Sequence, residues 1–202
     1  MKRMHLTLVL SAILIYGCKS NNTKSHQEAS KDSTNAMAES MDNISNAAVD
    51  FATSAASSNM KEIALANAAL KNANYSRLKE LAQKIADAHT KANKDLQTAC
   101  YSAGVTLPSG LSKSDQEEVD KVTGKDSKAF DRAFIKKIVS DQQKTMERLD
   151  NAAATMKDTS LRNYAKKTLP VVKANLQDAR NVLEDVRKRY DPTQWDDVDS
   201  YQ

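Results

Sequence analysis

Apolar residues recur at 78, 81, 82, 85, 92, 96, 99 and 100 in LKELAQKIADAHTKANKDLQTACYSA. This is the i, i+3, i+4, i+7 rhythm of a helix with one buried stripe. His89 falls on the stripe, four residues after Ile85 and three before Ala92, so a titratable ring is expected on the inner face. The same period continues on both sides. Ala48, Phe51, Ala52, Ala55, Ile63, Ala66 and Leu70 predict a preceding helix over 46–72. The break at 72–75 is short enough to make the two helices antiparallel neighbours. Phe130, Phe134, Ile138, Thr145, Leu149, Ala152 and Met156 predict a third helix over 127–156. Leu161, Ala165, Leu169, Val172, Leu176, Ala179, Leu183 and Val186 predict a fourth over 161–187, bent where Pro170 removes a hydrogen bond.

Gly104 is placed to end the second helix as a left-handed cap. Beyond it, GVTLPSGLSKSDQEEVDKVTGKDS is punctuated by Pro108, Gly110 and Gly124, and Ser114 with Glu117 reads as a capping box opening a short helix to about Val122. A helix of 26 residues is about 39 Å long. The connection, at up to about 3.3 Å per residue, can travel that distance. The expected fold is therefore all-α, a ferritin-like four-helix bundle over 46–188. Two helical hairpins are joined by a long crossover containing a short helix. An up-and-down bundle with a decorated loop is the alternative.

Near the middle of the four helices, polar residues interrupt the inward stripes: Glu62, His89, Gln142 beside Asp141, and Asn175. Side chains at the centres of facing helices share a depth, so these can meet as a buried polar layer. Each buried polar group without a partner costs about 1–3 kcal/mol. The layer is thus either a ligand or metal site, or a hydrogen-bonded plane that fixes helix register. Spacing favours the plane. A di-iron bundle needs Glu-x-x-His pairs, and residue 86, three before His89, is Ala. The other histidines, His5 and His26, fall outside the predicted bundle. A lone metal on Glu62, His89 and Asp141 is the remaining metal option, although catalytic zinc usually takes more His or Cys ligands. No nucleophile triad, phosphate loop or paired catalytic carboxylates emerge, so neither catalysis nor a cofactor is expected.

Composition narrows the picture further. Four Gly and three Pro in 202 residues suit long helices and starve an all-β fold of turns. The formal charge is +4, falling to +2 without Lys2 and Arg3, and the charges are interleaved as on solvated helix faces. A nucleic-acid partner is not expected, because no basic stripe with interleaved aromatics is present.

The first residues change the picture most. Lys2 and Arg3 precede an apolar run from Leu6 to Ile15, too short for the roughly 20 residues that span a bilayer. Ile15-Tyr16-Gly17-Cys18 follows and resembles the bacterial lipobox. Residues 1–17 are thus expected to be a lipoprotein signal peptide. Cys18 is the lipid-attachment site, 18–45 a flexible tether, and 189–202 a polar acidic tail. With Cys18 lipidated, Cys100 has no partner in the chain and is read as a small core residue.

The segments NMKEIALANAAL, LAQKIADAHTKANKDL, GVTLPSGL, AFDRAFIKKIVSDQQKTM and LRNYAKKTLPVVKANLQDA, in that order, closely resemble a bacterial family of exported, ferritin-like proteins of unknown function. Its members are often labelled outer-membrane proteins. The resemblance implies a location on the periplasmic face of the outer membrane. It also implies histidines at the positions that Gln142 and Asn175 occupy here, while His89 matches. Two neutral amides in place of histidines weaken any metal or acid–base role carried over from the family. The expected function is a lipid-anchored cell-envelope module that binds or protects without catalysis. A protein or anionic envelope polymer is the candidate partner, the oligomeric state is left open, and a ferritin-type metal binder or oxidase near Glu62 and His89 is the alternative.

Overall fold

The computed structural model describes residues 45–190, and among them every regular element is an α-helix. The elements are α1 (Asn46–Asn72), α2 (Ser76–Ala103), α3 (Lys113–Thr123), α4 (Ser127–Thr155) and α5 (Thr159–Arg189). Residues 1–44 and 191–202 lie outside the described residues. So do the expected signal peptide, Cys18, nearly all of the tether and most of the tail.

The inner face of α2 is the expected one: Leu78, Leu81, Ala82, Ile85, His89, Ala92, Leu96, Ala99 and Cys100 are all buried. Gly104 caps it in the left-handed region at φ 70°, where a side chain would be strained. In α1 the stripe is rotated from the expected one. Leu65 and Ala69 are buried, whereas Ile63 and Leu70 are only partly so. So many α1 positions are Ala that residue size does little to choose the face. In α5, Thr168 is buried and Leu169 partly exposed, and the helix continues without a break through Pro170 to Arg189. The short helix begins earlier than Ser114: Ser112 is its cap, its Oγ accepting from the Asp115 N–H at 3.1 Å.

Cross-helix pairs fix the directions. Ser58 meets Arg148, Glu62 meets Gln142 and Asn74 meets Asp131, so α1 and α4 run antiparallel. Arg77 meets Asp185, Lys84 meets Asp178 and Asp95 meets Lys167, so α2 and α5 do too. The order is up, down, down, up. The connection from Gly104 to Asp126 therefore travels the length of the bundle, and α3 lies on it against α1 and α4.

The core comes in two parts. An upper cluster holds Leu65, Leu78, Ile85, Phe130, Phe134, Ile138 and Tyr190. A lower one holds Phe51, Leu96, Cys100, Leu149, Leu161 and Val172. Polar side chains separate them.

Candidate functional site

Four long helices each send a polar residue into the gap between the two apolar clusters. Glu62 is 0%, His89 1%, Gln142 0% and Asn175 1% exposed, so all four expected members of the layer are buried. The Gln142 amide Nε2 stands 2.6 Å from Glu62 Oε2 and 2.8 Å from His89 Nε2. The carboxylate and the imidazole are themselves 3.2 Å apart. Asn59 accepts from His89 Nδ1 at 2.9 Å through Oδ1 and donates through Nδ2 to the Tyr164 hydroxyl at 3.4 Å. Thr145 Oγ1 donates to Glu62 Oε1 at 3.3 Å.

These partners assign the proton on the ring. Asn59 offers an oxygen, so Nδ1 carries the hydrogen and Nε2 presents its lone pair. Both hydrogens of the Gln142 amide then have acceptors, one the carboxylate and one the imidazole. The amide acts as a clip across two acceptors that would otherwise repel, on the line where a shared cation would have to sit. Turning the amide over would set its oxygen against the carboxylate.

Asn175 belongs to the layer by position, between Val172 of the lower cluster and Ala179 of the upper. Yet neither of its side-chain heteroatoms has a hydrogen-bond partner, nor does Gln142 Oε1. Asn59 and Tyr164 were not anticipated as members. The signal for Asn59 was present, since it falls four residues after Ala55 and three before Glu62.

Asp141, the third member of the possible metal set, faces elsewhere. Its Oδ1 accepts from Lys137 Nζ at 2.8 Å, and Lys61 Nζ lies 3.9 Å from its Oδ2. Burial pushes its carboxyl above the ordinary range, against the pull of both lysines. Among the described residues no three of His, Cys, Asp and Glu come close enough to hold a metal ion. Glu62, His89 and Asp141 are therefore not brought together.

Asp141 belongs instead to a charged cluster beneath the crossover helix. Glu118 Oε2 lies 2.6 Å from both Lys61 Nζ and Lys137 Nζ, while Asp115 accepts from Ser57 and Ser112. Burial works against the Glu118 charge, but the bonds from Lys137 and Lys61 prevail and hold its carboxyl below the usual range. This cluster ties α3 to α1 and α4, a role the sequence did not suggest.

A third buried carboxylate closes the upper end. Asp131 accepts from the backbone N–H of Asn74 at 2.9 Å through Oδ1. Its Oδ2 accepts from the Tyr75 N–H at 3.2 Å and the Tyr190 hydroxyl at 2.5 Å. Burial, then the bond to Asp131, pushes the Tyr190 phenol up to about 12. At the lower end Cys100 is buried as expected, and burial pushes its thiol up to about 11, with Asp158 adding to the shift. That makes it a poor nucleophile.

Comparison with known proteins adds one match. A family model described as a domain of unknown function (DUF4142) matches residues 31–182. No curated protein and no solved structure matches.

Proposed function

The chain belongs to the DUF4142 family, and from that premise we propose a lipid-anchored module of the cell envelope, a ferritin-like bundle that acts by binding or stress protection rather than by catalysis. The observation that carries the non-catalytic part is the amide clip. Glu62 and His89, the acid and base best placed for chemistry, are bonded to Gln142, Asn59 and Thr145 and closed off from solvent. A substrate would have to break that layer to reach them. The anchoring rests on Ile15-Tyr16-Gly17-Cys18, and the outer-membrane, periplasmic location on the resemblance of the bundle segments. The partner is a protein or an anionic envelope polymer, met by exposed lysines such as Lys113 and Lys167.

The test is metal content. The full chain carrying Cys18→Ser, incubated with iron and with zinc, is expected to hold no stoichiometric metal, and His89→Ala is expected to lower its melting temperature. Stoichiometric metal lost on His89→Ala would sink this reading. It would favour the second one, a ferritin-type metal binder or oxidase, for which the unpartnered oxygens of Gln142 and Asn175 would serve as ligands beside Glu62 and His89. Anchoring is read separately, by incorporation of labelled fatty acid into the parent chain and its loss in Cys18→Ser.

A further inference from the structure

A cleft of about 580 Å³ opens at the lower end of the bundle between the start of α1 and the end of α4. Its size lies within the range of about 300–1,000 Å³ typical of small-molecule sites. Its floor is apolar, formed by Phe51, Ala152 and Met156. Its walls are charged and unevenly balanced. Arg148 hydrogen-bonds to Ser58 Oγ at 2.9 Å but meets no carboxylate, and Lys157 makes no ion pair among the described residues. Asp50, the one carboxylate lining it among the described residues, is likewise unpaired among them. Two cations against one anion leave a single positive charge over an apolar floor.

We propose that this cleft is a binding site for a single-chain amphiphile with a monoanionic head, of the long-chain carboxylate class. The head pairs with one of the two cations in the lining, Arg148 or Lys157, where charge-assisted hydrogen bonds are stronger than neutral ones. The chain covers Phe51, Ala152 and Met156. Asp50 selects against a doubly charged head by direct repulsion. This deepens the binding-module reading above and rests on it, while requiring neither the lipid anchor nor any metal.

Calorimetric titration of dodecanoate into the full Cys18→Ser chain, without detergent, tests the site. Saturable one-to-one binding is expected. It should weaken by at least about tenfold when Arg148→Gln and Lys157→Gln are combined, about 1.4 kcal/mol or more. Thr155→Trp, which plugs the cleft from an exposed rim position, should abolish it. Dodecanol, the same chain without charge, should bind more weakly than dodecanoate. No saturable binding, or binding indifferent to these variants, overturns the proposal. So does equal binding of the alcohol. Binding seen only after removal of residues 19–44 also overturns it, and makes the chain's own preceding segment the occupant. No fatty-acid labelling of the parent chain, with the titration intact, would leave the site standing and the anchor reading fallen.

Discussion

Two of the buried carboxylates, Glu62 and Asp131, sit about 17 Å apart along the bundle by helical rise, and they differ in how completely their surroundings answer them. At Asp131 both oxygens are used, by two backbone N–H groups and one phenol, and the partners come from the α1–α2 turn and the end of α5. At Glu62 the carboxylate meets Gln142 and Thr145, yet Gln142 Oε1 has no partner, and neither has Asn175 at the same level of the bundle, among the described residues. The first is a closed account of donors and acceptors, as expected of a tie that holds helix ends together. The second leaves polar atoms without protein partners at 0–1% exposure among the described residues. Burial alone does not separate the two carboxylates. The completeness of their hydrogen bonding does.

The largest effect should come from the closed node. Asp131→Ala orphans three donors and is expected to lower stability by about 4 kcal/mol in denaturant titration, at the upper end for single substitutions. His89→Ala removes a buried ring and frees Asn59 and Gln142, for an expected loss of about 2–3 kcal/mol by the same measurement. A larger loss than at Asp131 would reverse the contrast.

Asn175→Leu is the sharper probe, because a buried amide without partners gains little from being polar. Its stability should fall within about 1 kcal/mol of the parent, or above it. A loss of about 3 kcal/mol would mean that Asn175 is as fully engaged as Asp131.

The smallest effect is a pH dependence. Tyr190 titrates near 12 in the fold against about 10 in an unfolded chain. A folded value above the unfolded one gives stabilisation that is full below pH 10 and lost as pH rises through about 12. The stability gap between the parent and Tyr190→Phe should therefore shrink between those limits, as read by denaturation at pH 9 and at pH 11.5. A constant gap would mean that the phenol is not held by Asp131.

Most of the helix positions were legible in the sequence, and the reason varies with each helix. In α2 large residues alternate cleanly with charged ones, so the stripe through His89 could be read residue by residue. In α1 the stripe is mostly alanine, and Leu65 and Ala69 are buried where Ile63 and Leu70 are expected, because an alanine-rich helix offers little size contrast to mark its inward face. Glu62, His89, Gln142 and Asn175 were legible as a layer because periodicity fixes which residues share a face. Their bonding was not. Whether Gln142 clips Glu62 to His89, or Asn175 stays without a partner, depends on fractions of an ångström between helices. The Asp131–Tyr190 tie joins residues 59 apart in sequence, and Tyr190 sits just past the last apolar repeat, where periodicity has nothing left to say. Likewise, the lysines gripping α3 read on paper as ordinary solvated charges.

The up, down, down, up order has a mechanical corollary. Because α1 and α5 run the same way, the chain enters the bundle at one end and leaves it at the other. The 27 residues of α1 set that separation at about 40 Å. A load applied between residues 46 and 189 pulls along the helix axes, so the helices must slide past one another together rather than peel apart one by one. Joining residue 46 directly to residue 189 would need a linker of about a dozen fully extended residues, where a bundle with adjacent ends would need only a turn.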